Sequence, residues 1–278
     1  MQIVRTVQGL RQAVAQWRSQ DLSVGLVPTM GALHDGHMAL TARSLATTGR
    51  TIATLFINPK QFGKGEDLDS YPRDEQSDVE KLSQAGVHLL FAPGVGDMYP
   101  QGFATSVVVS GLGDILEGEA RPGFFGGVAT VVSKLLNQAG ADTAFFGDKD
   151  YQQLLIIRAM ARDLNIPTVI EGVATVREGD GLALSSRNVY LDDTERLVAP
   201  VLYESICGVA AKVNDGEDIA SAEAWGREQV LEAGFTGVDY LSVHDGETLA
   251  SYTDPSRQGR VLVAARLGRT RLIDNVAV

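Results

Sequence analysis

The sequence predicts an α/β fold in which a parallel sheet occupies the first two-thirds and a smaller α+β domain follows. Up to about residue 175, apolar runs of strand length alternate with amphipathic runs of helix length, which is typical of βαβ units. After Val176, two helical stretches precede short strands, and a turn at Gly268 separates the last two. We therefore expect one domain over 1–175 and a second over 176–278.

Each predicted element rests on its own local pattern. In the first domain, amphipathic periodicity predicts helices, and one apolar stripe is carried by Val128, Val131, Val132, Leu135 and Leu136. The predicted helices there are 38–45, 127–138 and 151–164, and the buried strands are 22–29, 51–57, 87–92, 143–146 and 168–173. In the second domain we expect helices over 192–213 and 220–233, and strands over 238–243, 261–265 and 271–273. Right-handed crossovers would bring the carboxyl ends of the parallel strands to one edge, where ligands bind.

Composition narrows the functional classes. A net charge of −11 argues against broad nucleic-acid binding, which needs a cationic surface, although it leaves room for a small anionic ligand. No apolar run approaches the roughly 20 residues of a membrane helix, and the first residues lack the apolar core of a signal peptide. The single cysteine, Cys207, excludes an internal disulfide. We expect a cytoplasmic protein with neither a membrane nor a nucleic acid as partner.

The segment 28–37 (PTMGALHDGH) is the strongest candidate for chemistry. It follows a predicted strand and precedes a predicted helix, so it would present backbone N–H groups and the positive end of a helix dipole, which favour phosphate. Gly31 and Gly36 would let a ligand approach the backbone closely. His34 and His37, half of the four histidines, add side-chain donors at the same place. The sequence therefore predicts an anion site here.

Three further polar segments follow predicted strands, and each alone has an ordinary structural explanation. The segment 58–62 carries the amides of Asn58 and Gln61, which suit a hydroxy acid or simply form a polar loop. In 147–153, Lys149 suits a phosphoryl group, while Asp150 suits either Mg²⁺ or a helix cap. The segment 180–188 combines two hydroxyls with Arg187, as in a polyphosphate clamp or a capped turn.

Taken together, these segments resemble the pantoate–β-alanine ligase (pantothenate synthetase) family. The resemblance runs in order along nearly the whole chain. It rests on PTMGALHDGH at 28–37, INPKQF at 57–62, YPR at 71–73, RPGFFGGVATVVSKLLN at 121–137, FFGDKDYQQL at 145–154 and DGLALSSRN at 180–188. The HxGH element alone is shared with many nucleotidyltransferases, whereas the ordered set of six is specific to this family.

The resemblance implies a Rossmann-like nucleotide-binding domain, a C-terminal lid and a homodimer. It also implies that ATP, with Mg²⁺, converts pantoate to pantoyl adenylate, which β-alanine then attacks to give pantothenate and AMP. His37, His34, Lys149 and Arg187 would be catalytic, Gln61, Gln153 and Asn58 would bind pantoate, Gln61 would also lie near β-alanine, and Asp150 would hold the metal. By the same resemblance, the residues that contact ATP are Met30, Gly31, Ala32, Leu33, His34, Asp35, Gly36, His37, Gly147, Asp148, Lys149, Asp150, Val176, Leu184, Ser185, Ser186 and Arg187.

One position departs from the family pattern. The family usually carries histidine where this chain has Phe124, and a phenyl ring neither donates a hydrogen bond nor carries charge. Either the β-alanine step is weaker in this chain, or Phe124 only repacks a loop. Two alternative functions also stay open: nucleotidyl transfer to another small acid or a phosphate ester, and nucleotide binding without catalysis.

Overall fold

The computed structural model describes residues 1–63 and 65–278, which divide into two compact units. The first unit comprises Met1–Asp148 and Gln153–Ala174, and the second comprises Lys149–Gln152 and Thr175–Val278. The first unit holds a six-stranded parallel sheet and the second a three-stranded antiparallel sheet. The predicted fold class is therefore confirmed.

The sheet of the first unit has six strands: β1 (Gln2–Val4), β2 (Val24–Thr29), β3 (Arg50–Leu55), β4 (Leu89–Phe91), β5 (Thr143–Gly147) and β6 (Val169–Val173). They lie in the order β1-β4-β3-β2-β5-β6, so the chain adds strands on one side of β2 before it crosses to the other. The carboxyl ends of β2, β3 and β5 lie at one edge because these strands are parallel neighbours.

Helices surround this sheet and share its core. The sheet residues Leu26, Ile52 and Phe91 are fully buried, and they belong to one apolar cluster with Val128 and Leu136 of the helix Phe124–Ala139. The helices are α1 (Val7–Arg18), α2 (Asp35–Thr47), α3 (Glu75–Gln84), α4 (Val95–Met98), α5 (Glu117–Ala120), α6 (Phe124–Ala139) and α7 (Tyr151–Asp163). The loops after β2 and β3 therefore leave the same edge of this sheet.

The second unit packs its helices on a β-meander with a core of its own. Leu202, Ile206 and Val209 lie in this core together with Val261 and Val263 of the central strand. The elements are α8 (Asp193–Val198), α9 (Val201–Asn214), α10 (Ile219–Glu232), β7 (Gly237–Asp245), β8 (Gly259–Leu267) and β9 (Thr270–Ala277), with strand order β7-β8-β9.

The helix expected over 192–213 is wrong as a single element. The structure divides it into α8 and α9 at Ala199 and Pro200, because proline has no N–H to continue the hydrogen-bond ladder. By length and composition alone, the stretch Asp193–Asn214 is long and apolar enough to cross a membrane, with a mean hydropathy of 1.2. Core helices share this composition, and Leu202 and Ile206 lie in the core of the second unit.

Replacing Leu136 with Ala tests the core of the first unit. Leu136 is 1% exposed, so the substitution leaves a cavity and should lower the free energy of unfolding by about 2–5 kcal/mol. Urea unfolding of the two variants measures this. Leu164, which is half exposed in the same unit, is the matched control, and Leu164→Ala should change the value by less than about 0.5 kcal/mol. Equal losses in both variants would contradict this account of the core.

Candidate functional site

The loop after β2 is held in an unusual backbone conformation by α3. Gly31 and Ala32 both have positive φ, 87° and 52°. The buried carboxylate of Asp78 accepts the N–H groups of Ala32 and Leu33 at 2.9 and 2.8 Å, and Lys81 Nζ donates to the Leu33 carbonyl at 2.6 Å. A Cβ at position 31 would lie 2.9 Å from the Asp78 carboxylate, so both φ and space favour glycine. Because these contacts use three backbone groups, they fix the path of the loop into α2.

The two histidines cap α2 reciprocally. Gly36 N–H donates to His34 Nδ1 at 3.2 Å, and His34 N–H donates to His37 Nδ1 at 3.4 Å. Because both Nδ1 atoms accept from backbone N–H groups, each neutral ring carries its proton on Nε2. The ring centroids lie 4.2 Å apart. The cap therefore sets the tautomer of both rings and makes Nε2–H the group with which each can donate.

The start of α2 combines these donors with the helix dipole. Two adjacent imidazoles and the amino-terminal end of a 13-residue helix are groups that could stabilise an anion. That this segment binds phosphate stays a prediction.

The loop after β3 carries a chain of hydrogen bonds between amide side chains. Asn58, which is 1% exposed, accepts from Tyr99 Oη at 2.7 Å and from Lys60 N–H at 3.2 Å. Its Nδ2 donates to Gln61 Oε1 at 3.0 Å, and Gln61 Nε2 lies 2.9 Å from Met30 Sδ. The loops after β2 and β3 are therefore joined through Met30 and Gln61, both of which were predicted from the sequence to be site residues.

Gly127 lets α6 lie directly against this loop. A Cβ at Gly127 would come within 2.2 Å of the Lys60 carbonyl oxygen and 2.8 Å of Gln61 N. The Gly127 carbonyl also accepts from Asn58 Nδ2 at 3.1 Å. Only glycine permits this approach of the two backbones, which fixes where Gln61 lies.

Phe124, the first residue of α6, stacks against the partly buried side chain of Arg121. The Arg121 guanidinium lies 3.8 Å from the Phe124 ring centroid, a cation–π distance, and pairs with Glu66 through two hydrogen bonds at 2.8 and 2.5 Å. Arg121 also donates to the Gln61 carbonyl at 3.3 Å. These residues border a cavity of about 330 Å³ lined by Lys60, Gln61, Phe62, Gly63, Glu66, Ala120, Arg121, Pro122, Gly123 and Phe124.

In the second unit, the segment Lys149–Gln152 is fastened by residues near the end of the chain. Asn275 Nδ2 donates to the Lys149 carbonyl at 2.9 Å, and Tyr151 Oη donates to the Gly246 carbonyl at 2.7 Å. The Arg260 guanidinium lies 4.0 Å from the centroid of the Tyr151 ring. Three contacts thus fix the backbone from which the Lys149 side chain extends.

The segment 176–188 of the second unit forms a narrow antiparallel turn. Leu184 N–H donates to the Val176 carbonyl at 3.0 Å, which brings two of the predicted nucleotide contacts together. Arg177 pairs with Asp274 at 2.6 and 2.9 Å and donates to the Gly181 carbonyl at 3.0 Å, so it ties the turn to β9. Ser185 Oγ accepts from Arg187 N–H at 3.3 Å and begins the 3-10 helix Ser186–Tyr190.

The predicted residues therefore fall into two groups. Within the first unit, the structure brings the loop after β2 to Gln61 and Asn58 and places Gly147 and Asp148 at the end of β5, while Gln153 lies on α7. Within the second unit it pairs Val176 with Leu184, which Ser185, Ser186 and Arg187 follow, and it places Lys149 and Asp150 at the fastened segment. Sequence reasoning missed Asp78, Lys81, Tyr99, Arg121 and Asn275, whose contacts join residues far apart in the chain.

The residues around Asp150 fit a metal ion only if the nucleotide supplies further ligands. Asp150 Oδ1 lies 3.9 Å from Lys149 Nζ, and its side chain is 47% exposed. In the described parts of the chain, no three His, Cys, Asp or Glu side chains are grouped so that they could hold a metal. A single carboxylate together with phosphate oxygens suits Mg²⁺, which is commonly bound in this way.

A parallel sheet whose central strand leads into a histidine-capped helix is typical of nucleotide-binding α/β proteins. The family model for pantoate-beta-alanine ligase matches residues 2–277. The pantothenate synthetase of Paramagnetospirillum magneticum is 54% identical over 276 residues, which cover 99% of this chain and 97% of that protein. The chain belongs to the pantoate–β-alanine ligase family, as the sequence motifs predicted.

Solved structures agree with this assignment. The pantothenate synthetase of Thermus thermophilus matches with a TM-score of 0.94 at 48% identity, covering 99% of each chain. The pantoate-beta-alanine ligase of Francisella tularensis, solved in complex with β–γ ATP and β-alanine, matches with a TM-score of 0.84 at 31% identity, covering 99% of this chain and 97% of that one.

Replacing Asp78 with Asn tests whether its carboxylate holds the loop after β2. Asparagine keeps one acceptor oxygen but turns the other into a donor, so one loop N–H loses its partner at a buried site. We expect the free energy of unfolding to fall by about 1–3 kcal/mol and the KM for ATP to rise. Asp74→Asn on the same helix is the control, because Asp74 is an exposed cap and asparagine caps equally well. If Asp78→Asn had the same free energy of unfolding and the same KM for ATP as this control, Asp78 would not be holding the loop.

The titration of Tyr99 tests whether its hydroxyl lies in a buried environment beside Asn58. Burial raises the pKa of Tyr99 to about 12, above the value of about 10 for an unfolded tyrosine. The fold therefore favours the protonated phenol, and this stabilisation is present below pH 10 and is lost as the pH rises through 12. In near-ultraviolet absorbance titrations, the protein and Tyr99→Phe should differ by one tyrosine that ionises near pH 12. A difference centred at pH 10 would contradict the burial of Tyr99.

Proposed function

We propose that this chain joins pantoate to β-alanine at the expense of ATP. In the first step a carboxylate oxygen of pantoate bonds to the α-phosphorus of ATP and pyrophosphate leaves. In the second step the amine of β-alanine bonds to the acyl carbon, AMP leaves with the bonding electrons, and the amine loses a proton. The observation that carries the proposal is the match to the ligase family over residues 2–277. The histidine pair at the strand end supports it.

The proposed catalytic groups are those that can oppose charge on phosphate. Negative charge develops on the phosphoryl oxygens as pantoate attacks, and preorganised donors stabilise that charge most. His34 and His37 would donate through Nε2, and Lys149 and Arg187 would supply positive charge. The nucleotide contacts proposed from the family resemblance are Met30 to His37, Gly147 to Asp150, Val176 and Leu184 to Arg187.

The acid would be held by amides at the end of β3. Among the described residues, Gln61 Nε2 contacts the sulfur of Met30, a weak acceptor, so a carboxylate or hydroxyl oxygen would be the better partner. Gln153 and Asn58 complete the proposed pantoate site. Asn58 would act mainly through Gln61, because its own amide is committed to three protein partners besides.

We also propose that Mg²⁺ accompanies ATP with Asp150 as a ligand, since one carboxylate leaves coordination positions for phosphate oxygens. When bound, the ion would neutralise part of the phosphate charge. A C-terminal lid over 176–278, a homodimer and a cytoplasmic location are proposed on family resemblance alone. A lid would protect the adenylate from water.

The second step requires the neutral amine of β-alanine, and free amines of this type have a pKa of about 10. Gln61 borders the cavity next to Phe124, which makes this cavity the proposed location of the amine. The ring of Phe124 makes a cation–π contact with Arg121 and has no polar group of its own to offer a ligand. The two alternatives for Phe124, a weaker second step or a repacked loop, therefore differ in a measurable rate.

The proposed reaction is tested by measuring AMP and pyrophosphate production from ATP, Mg²⁺ and pantoate, with and without β-alanine. Release of AMP that depends on β-alanine, together with pantothenate, is expected. Pyrophosphate without pantothenate would place a defect in the second step. Binding of ATP without turnover on pantoate would overturn the proposal and favour another acid or a non-catalytic nucleotide-binding protein.

Replacing Lys149 with Ala tests the proposed cationic group. We expect adenylate formation to slow by about 10²–10³-fold, the usual loss for one preorganised donor. Single-turnover pyrophosphate release measures this rate. Lys212→Ala is the control, because Lys212 lies on α9 in the same unit and pairs with Glu217. Near-normal turnover of Lys149→Ala would remove Lys149 from the mechanism.

Replacing Phe124 with His distinguishes the two alternatives for that position. If the histidine assists β-alanine, aminolysis of the adenylate should accelerate while adenylate formation stays the same. If Phe124 serves only to stack on Arg121, the variant should lose thermal stability and gain no rate, since imidazole is the weaker partner for a cation. Rapid-quench measurement of the two steps separates these results.

A further inference from the structure

Tyr99 lies beside the proposed acid site without having been assigned to it. It follows α4, and its ring packs between Phe56 and Phe103 at centroid distances of 6.1 and 5.1 Å. These contacts leave its hydroxyl directed at Asn58 Oδ1, 2.7 Å away. The ring of Tyr99 is therefore held by its neighbours, and within residues 1–63 and 65–278 its hydroxyl donates to Asn58, which follows β3.

The hydrogen bonds of Asn58 have only one consistent direction. Lys60 N–H must donate, so the Asn58 atom that it meets is the oxygen. The Gly127 carbonyl must accept, so the atom that it meets is the nitrogen. Two backbone groups and the Tyr99 hydroxyl thus hold the Asn58 amide in one orientation, and Tyr99 makes the shorter of the two bonds to its oxygen.

The orientation of Asn58 determines that of Gln61. Asn58 Nδ2 is a donor, so the Gln61 atom 3.0 Å away is Oε1. The remaining atom, Nε2, then faces Met30 and the space where the acid would bind. A reversed Gln61 amide would present its oxygen to the acid, and this oxygen would repel the carboxylate of the acid.

We propose that Tyr99 is a positioning residue that acts through Asn58 to make Gln61 present its NH₂ group to the carboxylate or hydroxyl of the acid. The role rests on the proposed function. Tyr99 touches no substrate in this scheme. It holds the Asn58 oxygen, and loss of its hydroxyl leaves that oxygen with the longer bond from Lys60 alone.

A double-mutant cycle between Tyr99 and Gln61 tests the proposal. Tyr99→Phe should raise the KM for pantoate about 3- to 10-fold, the worth of one hydrogen bond, and leave the KM for ATP within about twofold. In a Gln61→Ala background the same change should alter the KM for pantoate by less than about twofold, because the group that Tyr99 positions is gone.

Tyr252→Phe is the matched control, because Tyr252 packs in an apolar core as Tyr99 does and donates a hydrogen bond, to the Arg257 carbonyl in the second unit. It should leave the KM for pantoate unchanged. A Tyr99→Phe effect of equal size in both backgrounds, or one shared by pantoate and ATP, would show a merely structural role and overturn the proposal. Failure of the unmodified protein to form pantothenate would instead contradict the proposed function, and the role of Tyr99 with it.

Gln61→Glu tests the amide orientation without altering Tyr99. If Nε2 faces the acid, the variant places a carboxylate oxygen there, and the KM for pantoate should rise by about 100-fold or more through like-charge repulsion. A KM within about twofold of the original would show that the NH₂ group is not what Gln61 presents. That result would overturn the proposal even if Tyr99→Phe failed to fold.

Discussion

The parallel pairing of β2 with β3 and β5 is the constraint from which the proposed acid site follows. Parallel neighbours must end at the same edge, so the loops that leave β2 and β3 emerge side by side. Met30 and Gln61 meet for that reason, although they lie 31 positions apart in the chain. Helix α6 then fixes the second loop through Gly127, and α3 fixes the first through Asp78.

Buried polar groups, rather than apolar packing, set the details of this edge. Asp78, Asn58 and the two capping histidines each orient backbone or side-chain groups through hydrogen bonds whose directions are forced by an N–H or a carbonyl. Such networks are costly if half satisfied, and they specify one arrangement when complete. The same bonds that hold the loops therefore decide which atoms face a ligand.

The sequence predicted the strands that are long and apolar, because burial on both faces leaves a clear apolar run, as at 24–29. It did not indicate β1, whose three residues are mostly exposed, and it did not show that Pro200 divides a helix. His34 was recognisable from its local motif, and Gln61 from the ordered set of motifs that resembles the family. Asp78 and Tyr99 were not, because a carboxylate on a polar helix or a tyrosine in a loop gains meaning only from partners more than 40 positions away.

The fastening of Lys149 has a consequence for the way the protein is made. Its segment is held by Gly246, Arg260 and Asn275, all of which follow it in the chain by about 95 positions or more. Chains are synthesised from the amino terminus, and domains fold as they emerge. The strands of the parallel sheet can therefore assemble on the ribosome while the lysine segment still lacks every one of these three contacts. The segment can have all three contacts only when the final strand, which carries Asn275, has been synthesised.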